Sequence, residues 1–249
     1  MYKPKFSPIS SLPAKGSHLP NPFRLITWNC HKVNFDKHHH QPIEALLSIP
    51  SPQILSLQEV AITPEQPHFF QLPYAMTPNI QTPNNLYGVL TASSHYFNPF
   101  RQQLTQCREL GCLTYKASLI TLHPLSSGEL LTHLNIHAIN FVPHLLFQRE
   151  LESISALLAQ QTGPMILSGD FNTWNKKRVA TLVQTIKALN LTQVTTYPDQ
   201  RPIKTLNRQP LDYIFYRGLE VLNAQAMQVP TISDHNPLIV DFQMDTSIE

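Results

Sequence analysis

The sequence predicts an α/β domain made of two packed β-sheets with helices outside them. Apolar runs of strand length outnumber segments with helical spacing, and no internal repeat is present. Of the 249 residues, 42% are hydrophobic, which is enough for a substantial core. The 22 prolines and 7 glycines favour loops and strand edges over long helices. We place this domain at residues 23–249 and expect residues 1–22, rich in Pro, Ser and Lys, to form a flexible N-terminal arm.

Short apolar strands separated by loops make up the first half of the chain. Strands are expected at 23–28, 53–57 and 87–92. A helix is expected at 42–48, with Pro42 in its first turn. The histidine run at 38–40 is interpreted as a solvated loop rather than a metal site. Residues 63–85 are interpreted as loops with at most a short helix, because Pro and Asn recur there.

Paired strands and two helices are expected in the second half. Residues 112–122 and 130–141 form two strands joined by a Pro-Leu-Ser-Ser-Gly turn at 124–128. Apolar residues three or four apart predict helices at 145–161 and 175–191. The remaining strands are expected at 165–168, 211–216, 219–227 and 237–242.

The segment Ile166-Leu-Ser-Gly-Asp-Phe-Asn-Thr-Trp174 carries the clearest chemical signal. A buried strand is followed by Gly169, and Asp170 and Asn172 then point to the same side of an extended backbone. Such a pair suits hydrolysis of a phosphate ester, which needs an oxygen to hold or deprotonate water and a donor for a phosphoryl oxygen. The alternative is that both residues only cap the helix that follows.

Other apolar strands also carry polar residues of catalytic type at an end or flank. These residues are Asn29, Glu59, His137, Asp212, and Asp234 with His235. Polar groups in such places must be paired or exposed in a cleft, so their number favours convergence on one site. Each of them alone could be a capping, surface or core residue.

The residue types indicate different roles. Glu59 is a candidate ligand for a divalent cation, because hard cations bind carboxylates, and Asn29 is a weaker candidate. Asp212 is expected to orient His235 as a base near neutral pH. His137 is expected to contact phosphate; Asn140 is its weaker companion.

Together these stretches resemble the endonuclease/exonuclease/phosphatase (DNase I-like) superfamily, and within it the bacterial YafD-like branch. The matching stretches, in the family's order, are Trp28-Asn29, Leu57-Gln58-Glu59, Asn135-Ile-His137, Gly169-Asp170-Phe-Asn172, Leu211-Asp212-Tyr-Ile-Phe215 and Ser233-Asp234-His235. The resemblance implies a four-layer α/β sandwich, in which two mixed β-sheets pack face to face with helices outside. It also implies a hydrolase of phosphate esters that depends on a divalent metal, usually Mg²⁺, with Mn²⁺ as a substitute ion.

The resemblance further implies a role for each site residue. Glu59 would be the principal metal ligand, helped by Asn29 and Asp234. The catalytic set would be completed by residues that position water, donate to phosphoryl oxygens or hold the base: Asp170, Asn172, His137, Asp212 and His235. We assign the general base to His235; Asp170 is the alternative.

Two departures from the family pattern bear on the substrate. Abasic-site endonucleases carry an Asp where this chain has His31 and a Tyr where it has His137. Both differences favour DNase-like, phosphatase-like and sphingomyelinase-like members instead. A nucleic acid could bind to a surface formed by one aromatic and three basic residues: Trp174, Lys176, Lys177 and Arg178. The alternative is that these residues are a solvated helix start with a Trp that anchors it to the core.

Composition limits the remaining choices. The formal net charge is only +2, but residues 170–217 hold eight Lys/Arg against three Asp, which suits an anionic substrate. Three cysteines without CxxC spacing favour a reducing, cytoplasmic compartment, and no apolar run is long enough to span a membrane. The favoured function is a phosphodiesterase acting on nucleic acid. The alternatives are a phosphatase or phospholipase acting on inositol phosphates or sphingomyelin-type lipids, and a non-catalytic binding protein.

Overall fold

Fourteen strands and two α-helices make up the regular structure of residues 3–32, 52–195, 203–229 and 232–245, which a computed structural model describes. The strands in chain order are β1 Phe23–Asn29, β2 Ile54–Ile62, β3 Tyr74–Gln81, β4 Leu86–Ser93, β5 Asn98–Leu104, β6 Ala117–Pro124, β7 Leu130–His137, β8 Met165–Asp170, β9 Thr192–Gln193, β10 Thr205–Leu206, β11 Gln209–Pro210, β12 Asp212–Arg217, β13 Leu219–Ala226 and β14 Leu238–Met244. The helices are α1 His144–Leu158 and α2 Lys176–Ala188, and a 3₁₀ turn spans Glu109–Gly111.

Twelve of these strands form two six-stranded mixed sheets. The first sheet has the order β13-β14-β1-β2-β4-β3, and only β1 and β2 run parallel. The second has the order β5-β6-β7-β8-β12-β9, and only β7 and β8 run parallel. Each parallel pair is central, so its carboxyl ends lie side by side at one edge of its sheet.

The two sheets pack face to face, as the sequence predicts. Alternate residues of the central strands, such as Leu25, Ile54 and Ile166, form an apolar layer between the sheets. The apolar faces of α1 and α2, which include Phe147 and Leu182, pack on the outer face of the second sheet. The result is an α/β sandwich of two mixed sheets, with a layer of helices on the outer face of the second sheet.

Loops cover the outer face of the first sheet in the described part of the chain. Phe70, Leu72, Met227 and Val229 pack against the cluster that contains Trp28. The helix expected at 42–48 and the histidine run at 38–40 lie outside the described residues.

Two long strands, β3 and β5, and the two-residue strands β9, β10 and β11 differ from the sequence prediction. The prediction of loops at 63–85 is wrong for β3, and β5 was not predicted. β3 is an edge strand with a register shift between Pro78 and Ile80, and edges and bulges tolerate proline. β5 is an edge strand with mixed exposed and half-buried residues, so it has no apolar run that would mark it.

The segment expected to be a flexible arm lies against the domain from residue 3 onward. Ser10 N donates to Tyr74 O at 2.8 Å, and Met76 N donates to Pro8 O at 3.0 Å, which adds a short antiparallel contact to the edge of β3. Further on, Leu19 is fully buried and its N donates to Pro124 O at 2.8 Å. Backbone pairing and this buried leucine hold the segment in place.

Within the described ranges, no helix combines the length and apolar character needed to cross a membrane.

Candidate active site

The ends of the central strands place three ionisable side chains next to one another in the second sheet. His137 ends β7 and Asp170 ends β8, and the two residues are register partners in the parallel ladder. Asp212 begins β12 and is the antiparallel partner of Asp170. Side chains of directly paired residues lie on the same face of a sheet, so these three face the first sheet together.

Asp170 joins the two sheets. Its Oδ2 accepts a hydrogen bond from Asn29 Nδ2, at the end of β1, at 3.0 Å. The same oxygen lies 3.5 Å from His137 Nε2. Its Oδ1 accepts from the backbone N of Asn172 at 2.9 Å. The predicted convergence of Asn29, His137, Asp170 and Asn172 is present in the structure.

Gly169 permits the backbones of β7 and β8 to approach closely just before Asp170. Its φ of 137° lies in a region that L side chains rarely adopt, and an added Cβ would lie 2.0 Å from Ile136 O. A glycine is therefore required immediately before Asp170.

His235 and Asp212 form a buried pair. His235 Nδ1 lies 2.7 Å from Asp212 Oδ2. The loop that carries His235 is fixed to the end of β1, because Trp28 Nε1 donates to His235 O at 2.9 Å and Ser233 Oγ donates to Asn29 O at 2.7 Å. With Nδ1 engaged, Nε2 is the nitrogen left to exchange a proton with water or substrate.

Glu59 lies on the other side of His137. His137 Nδ1 is 3.8 Å from Glu59 Oε1, so the imidazole lies between Glu59 and Asp170. Lys116 Nζ lies 3.4 Å from Glu59 Oε1, and Lys32 Nζ lies 3.9 Å from Oε2. These separations exceed those of a short charge-assisted hydrogen bond, so both lysines are loose partners of this carboxylate.

Burial and mutual charge shift the protonation of the site. Burial and the neighbouring Asp212 charge raise the pKa of Asp170 to about 7. Burial lowers the pKa of His235, but the charge and hydrogen bond of Asp212 outweigh it and raise that pKa to about 9. Burial and the charge of Lys116 hold the pKa of His137 well below its usual value, so this imidazole is neutral.

The donor set fits a hard divalent cation. Asp170, Asp212 and His235 each offer a ligand atom, and these atoms lie within 4.8 Å of one another. Glu59 and the amide oxygen of Asn29 add further oxygen donors nearby. Oxygen-rich sets of this kind suit Mg²⁺. Burial and the charge of Asp212 raise the pKa of Asp170, and a bound cation would favour its ionised form.

Asp234 does not join this group, although the sequence analysis expected it to help hold the metal. Its side chain is about half exposed, and its oxygens lie 2.8 Å from Lys204 Nζ and 3.2 Å from His31 Nδ1. The turn at Ser233–His235 directs His235 inward and Asp234 outward, toward Lys204 and His31.

Arg178 is not available to a substrate, which corrects its assignment as a substrate-binding residue. It is 1% exposed. Its guanidinium donates to Ile139 O at 2.9 Å, Asn172 O at 3.1 Å and Val142 O at 3.2 Å. Arg178 therefore ties together the two loops that follow β7 and β8, because a rigid fork of donors can satisfy several carbonyls at once.

The other candidate substrate residues remain near the surface. Lys176 and Lys177 are exposed at the start of α2, where Asn175 is the N-cap. Trp174 is half-buried, and its Nε1 donates to Asn140 Oδ1 at 2.8 Å. Asn172 Nδ2 donates to Ala138 O at 2.9 Å, so one of its two amide protons is already used.

Lys116 is a site residue that the sequence analysis missed. Its side chain is 12% exposed and lies between Glu59 and Glu109, at 3.4 and 3.8 Å. It directly precedes Ala117, the register partner of His137. The available signal was a single charged residue inside the apolar segment 112–122, comparable to Asp212 in the strand expected at 211–216.

Fold and site together define a DNase I-like phosphoesterase class. The model of the endonuclease/exonuclease/phosphatase family matches residues 26–235, and the chain belongs to this family. A UPF0294 protein of Yersinia enterocolitica is 35% identical over 238 residues, covering 92% of this chain and 87% of the relative.

Solved structures give the same fold. An endonuclease/exonuclease/phosphatase protein from Beutenbergia cavernae has a TM-score of 0.66 at 17% identity, covering 90% of this chain and 72% of its own. D. rerio TDP2 complexed with a single-strand DNA product has a TM-score of 0.60 at 13% identity, covering 90% of this chain and 99% of its own. Family and fold support a hydrolase that acts on phosphate ester bonds.

Proposed function

We propose that the protein is a Mg²⁺-dependent phosphodiesterase that hydrolyses nucleic acid by in-line attack of activated water. The observation that carries the proposal is that polar residues from both sheets meet at one place. Asp170 contacts Asn29 and His137, and its register partner Asp212 is hydrogen-bonded to His235.

Glu59 is the proposed principal metal ligand, with Asn29 beside it. Asp212 and His235 already neutralise each other, whereas within the described residues the Glu59 carboxylate has only distant contacts with two lysines and with the neutral His137. Bound Mg²⁺, or Mn²⁺ in its place, would neutralise charge on the phosphate and on the leaving oxygen.

The chain's own groups move the proton and hold the phosphate. The neutral form of His235, whose share grows as pH rises toward its pKa of about 9, takes the proton of the attacking water at Nε2. Asp212 stabilises the imidazolium that forms. Asp170, held by Asn29 and the Asn172 backbone, positions this water. It is also the alternative base, because a pKa of about 7 suits proton transfer near neutral pH. His137 and the second amide proton of Asn172 face the phosphoryl oxygens.

Nucleic acid is the favoured substrate. One structural neighbour was solved with a single-strand DNA product. In this chain Lys32, Lys116 and Lys204 surround the carboxylates, and Lys176 and Lys177 extend the positive surface beside Trp174. The described part of the chain thus offers lysines for the phosphate backbone of a nucleic acid and an aromatic ring for one of its bases.

A substrate panel tests the proposal. Plasmid DNA, RNA, inositol phosphates and sphingomyelin vesicles are incubated with the protein in Mg²⁺, in Mn²⁺ and in EDTA. We expect turnover of nucleic acid that EDTA abolishes and that Glu59→Gln lowers by at least about a hundredfold, since a lost ligand removes the metal's charge stabilisation. Release of phosphate from inositol phosphates or cleavage of sphingomyelin alone would support the phosphatase or phospholipase alternative. Mg²⁺ binding with no hydrolysis at all would favour the non-catalytic alternative.

A further inference from the structure

Glu59 reaches the site from a bulge in β2. The β2–β4 ladder pairs Leu57 with Leu90 and then Val60 with Gly88, so Gln58 and Glu59 together oppose a single residue of β4. Glu59 has a φ of 51°, in the left-handed region that residues other than glycine rarely adopt. The conformation that aims the carboxylate therefore needs support from its surroundings.

Asn135 supplies contacts to this bulge from the opposite sheet. It lies on β7, two residues before His137, and is fully buried. Its Nδ2 donates to Leu90 O at 2.9 Å and to Leu57 O at 3.1 Å. These two carbonyls belong to Leu57 and Leu90, the last regular pair before the bulge. One amide group therefore holds both strands at the position where regular pairing ends.

The same side chain also holds the first residue of the bulge. Gln58 Nε2 donates to Asn135 Oδ1 at 2.8 Å, and also contacts Thr27 Oγ1 at 3.2 Å and Ser56 O at 3.0 Å. Gln58 Oε1 has no partner among the described residues, so its amide nitrogen alone fixes the side chain. Hydrogen bonds in a dry interior are strong and directional, which makes this connection stiff.

We propose that Asn135 is a positioning residue, which locks the β2 bulge and thereby fixes Glu59 against His137. Asn135 and His137 share one face of β7, and Glu59 lies 3.8 Å from His137. One strand of the second sheet thus carries both a site residue and the support for the carboxylate that faces it. The proposal rests on the proposed function only for the role of Glu59 as metal ligand.

The test compares Asn135→Ser with Thr121→Val. Asn135→Ser removes a buried amide and Thr121→Val removes a buried hydroxyl, but Thr121 contacts His123 and His133 and has no hydrogen bond to the bulge. The first readout is hydrogen exchange of residues 55–62. We expect Asn135→Ser to speed exchange there about tenfold or more and Thr121→Val to leave it unchanged. Equal exchange in wild type and Asn135→Ser would overturn the proposal.

The second readout is the affinity for Mn²⁺ alone, measured by calorimetry. Groups that orient a metal ligand are worth about 10- to 100-fold in metal affinity, so we expect Asn135→Ser to raise the Mn²⁺ Kd at least about tenfold. In a Glu59→Gln background the same change should add nothing, because the carboxylate that it positions is gone. An unchanged Kd in Asn135→Ser, when Glu59→Gln weakens binding, would overturn the positioning role. If Glu59→Gln does not weaken Mn²⁺ binding, the assignment of Glu59 fails, and hydrogen exchange alone decides the role of Asn135.

Discussion

Asp170 shows how burial and three neighbours set the properties of one side chain. Asn29 and the Asn172 backbone donate to its two oxygens, which favours the ionised form. Burial and the charge of Asp212 act in the opposite direction and are stronger, so its pKa rises to about 7. A carboxylic acid that changes charge near neutral pH can position water, bind a cation or exchange a proton.

The role of His235 can be tested by chemical rescue. His235→Gly should lose activity by about 10²- to 10⁴-fold, the usual contribution of a general base. Added imidazole should restore part of this activity, and more of it at higher pH as the imidazole becomes neutral. The measurement is the hydrolysis rate against imidazole concentration at several pH values. Asp170→Ala is the control, and rescue of that variant but not of His235→Gly would transfer the base role to Asp170.

Arg178→Lys tests whether Arg178 supports the structure rather than binds substrate. Lysine keeps the charge but cannot donate to three carbonyls in one plane, so we expect the free energy of unfolding to fall by about 2–4 kcal/mol. The measurement is urea unfolding monitored by circular dichroism. Lys177→Ala, on the exposed side of the same turn, should leave stability within about 0.5 kcal/mol of wild type. A stable Arg178→Lys protein with a raised KM would instead restore Arg178 as a substrate residue.

At the scale of an element, β8 is the strand on which the site depends. It lies between β7 and β12, so its last residue has a partner on each side, His137 and Asp212. Its two neighbours therefore set the separation of three functional groups. This arrangement requires tight backbone packing at Gly169, where the carbonyl of Ile136 occupies the space of a side chain.

Gly169→Ala should damage both stability and activity. The added methyl would force apart β7 and β8 or impose a strained φ, at a cost of about 2–4 kcal/mol. The expected result is a Tm lower by several degrees and a larger loss in kcat than in substrate affinity, because Asp170 moves relative to His137. Gly128→Ala is the matched control: its φ is also positive, at 88°, but nothing lies within 4 Å of an added Cβ. Equal effects of the two changes would show that backbone strain alone, and not the close approach, matters.

At the scale of the molecule, the site should make stability depend on pH when no metal is bound. The folded pKa of His235 is about 9 against a usual 6.5, so its contribution is fully present below pH 6.5 and is lost as pH rises through 9. Asp170, with a folded pKa of about 7 against 3.8, is increasingly penalised up to pH 7 and not further above it. Both effects lower stability as pH rises.

The expected measurement is a fall in the free energy of unfolding of about 1–3 kcal/mol between pH 6.5 and 9 in EDTA. His235→Asn should flatten this part of the curve, since asparagine does not titrate. Mg²⁺ should raise the Tm more at pH 9 than at pH 6.5, because a cation stabilises the ionised carboxylates. A wild-type protein whose metal-free stability rises over this range would contradict the assigned pKa directions.

The sequence predicted the two-sheet architecture and the convergence of polar strand ends, because apolar strands and their polar flanks follow from local patterns. It did not predict which way a polar residue turns. Asp234 faces outward and Arg178 faces inward because the conformation of a turn and the phase of α2 decide these directions. Lys116 and Asn135 were missed as functional candidates for a related reason. Their importance comes from contacts with the opposite sheet, which no spacing along the chain encodes.

The pairing of the segment before Phe23 with β3 matters when the chain is shortened. Pro8 and Ser10 occupy the outer backbone groups of β3, which is the last strand of its sheet. A version that began at Phe23 would leave that strand with unpaired amides and carbonyls facing water, where a second copy could pair with it. Self-association of such a trimmed protein would then be a product of the trimming, and its oligomeric state would say nothing about the intact chain.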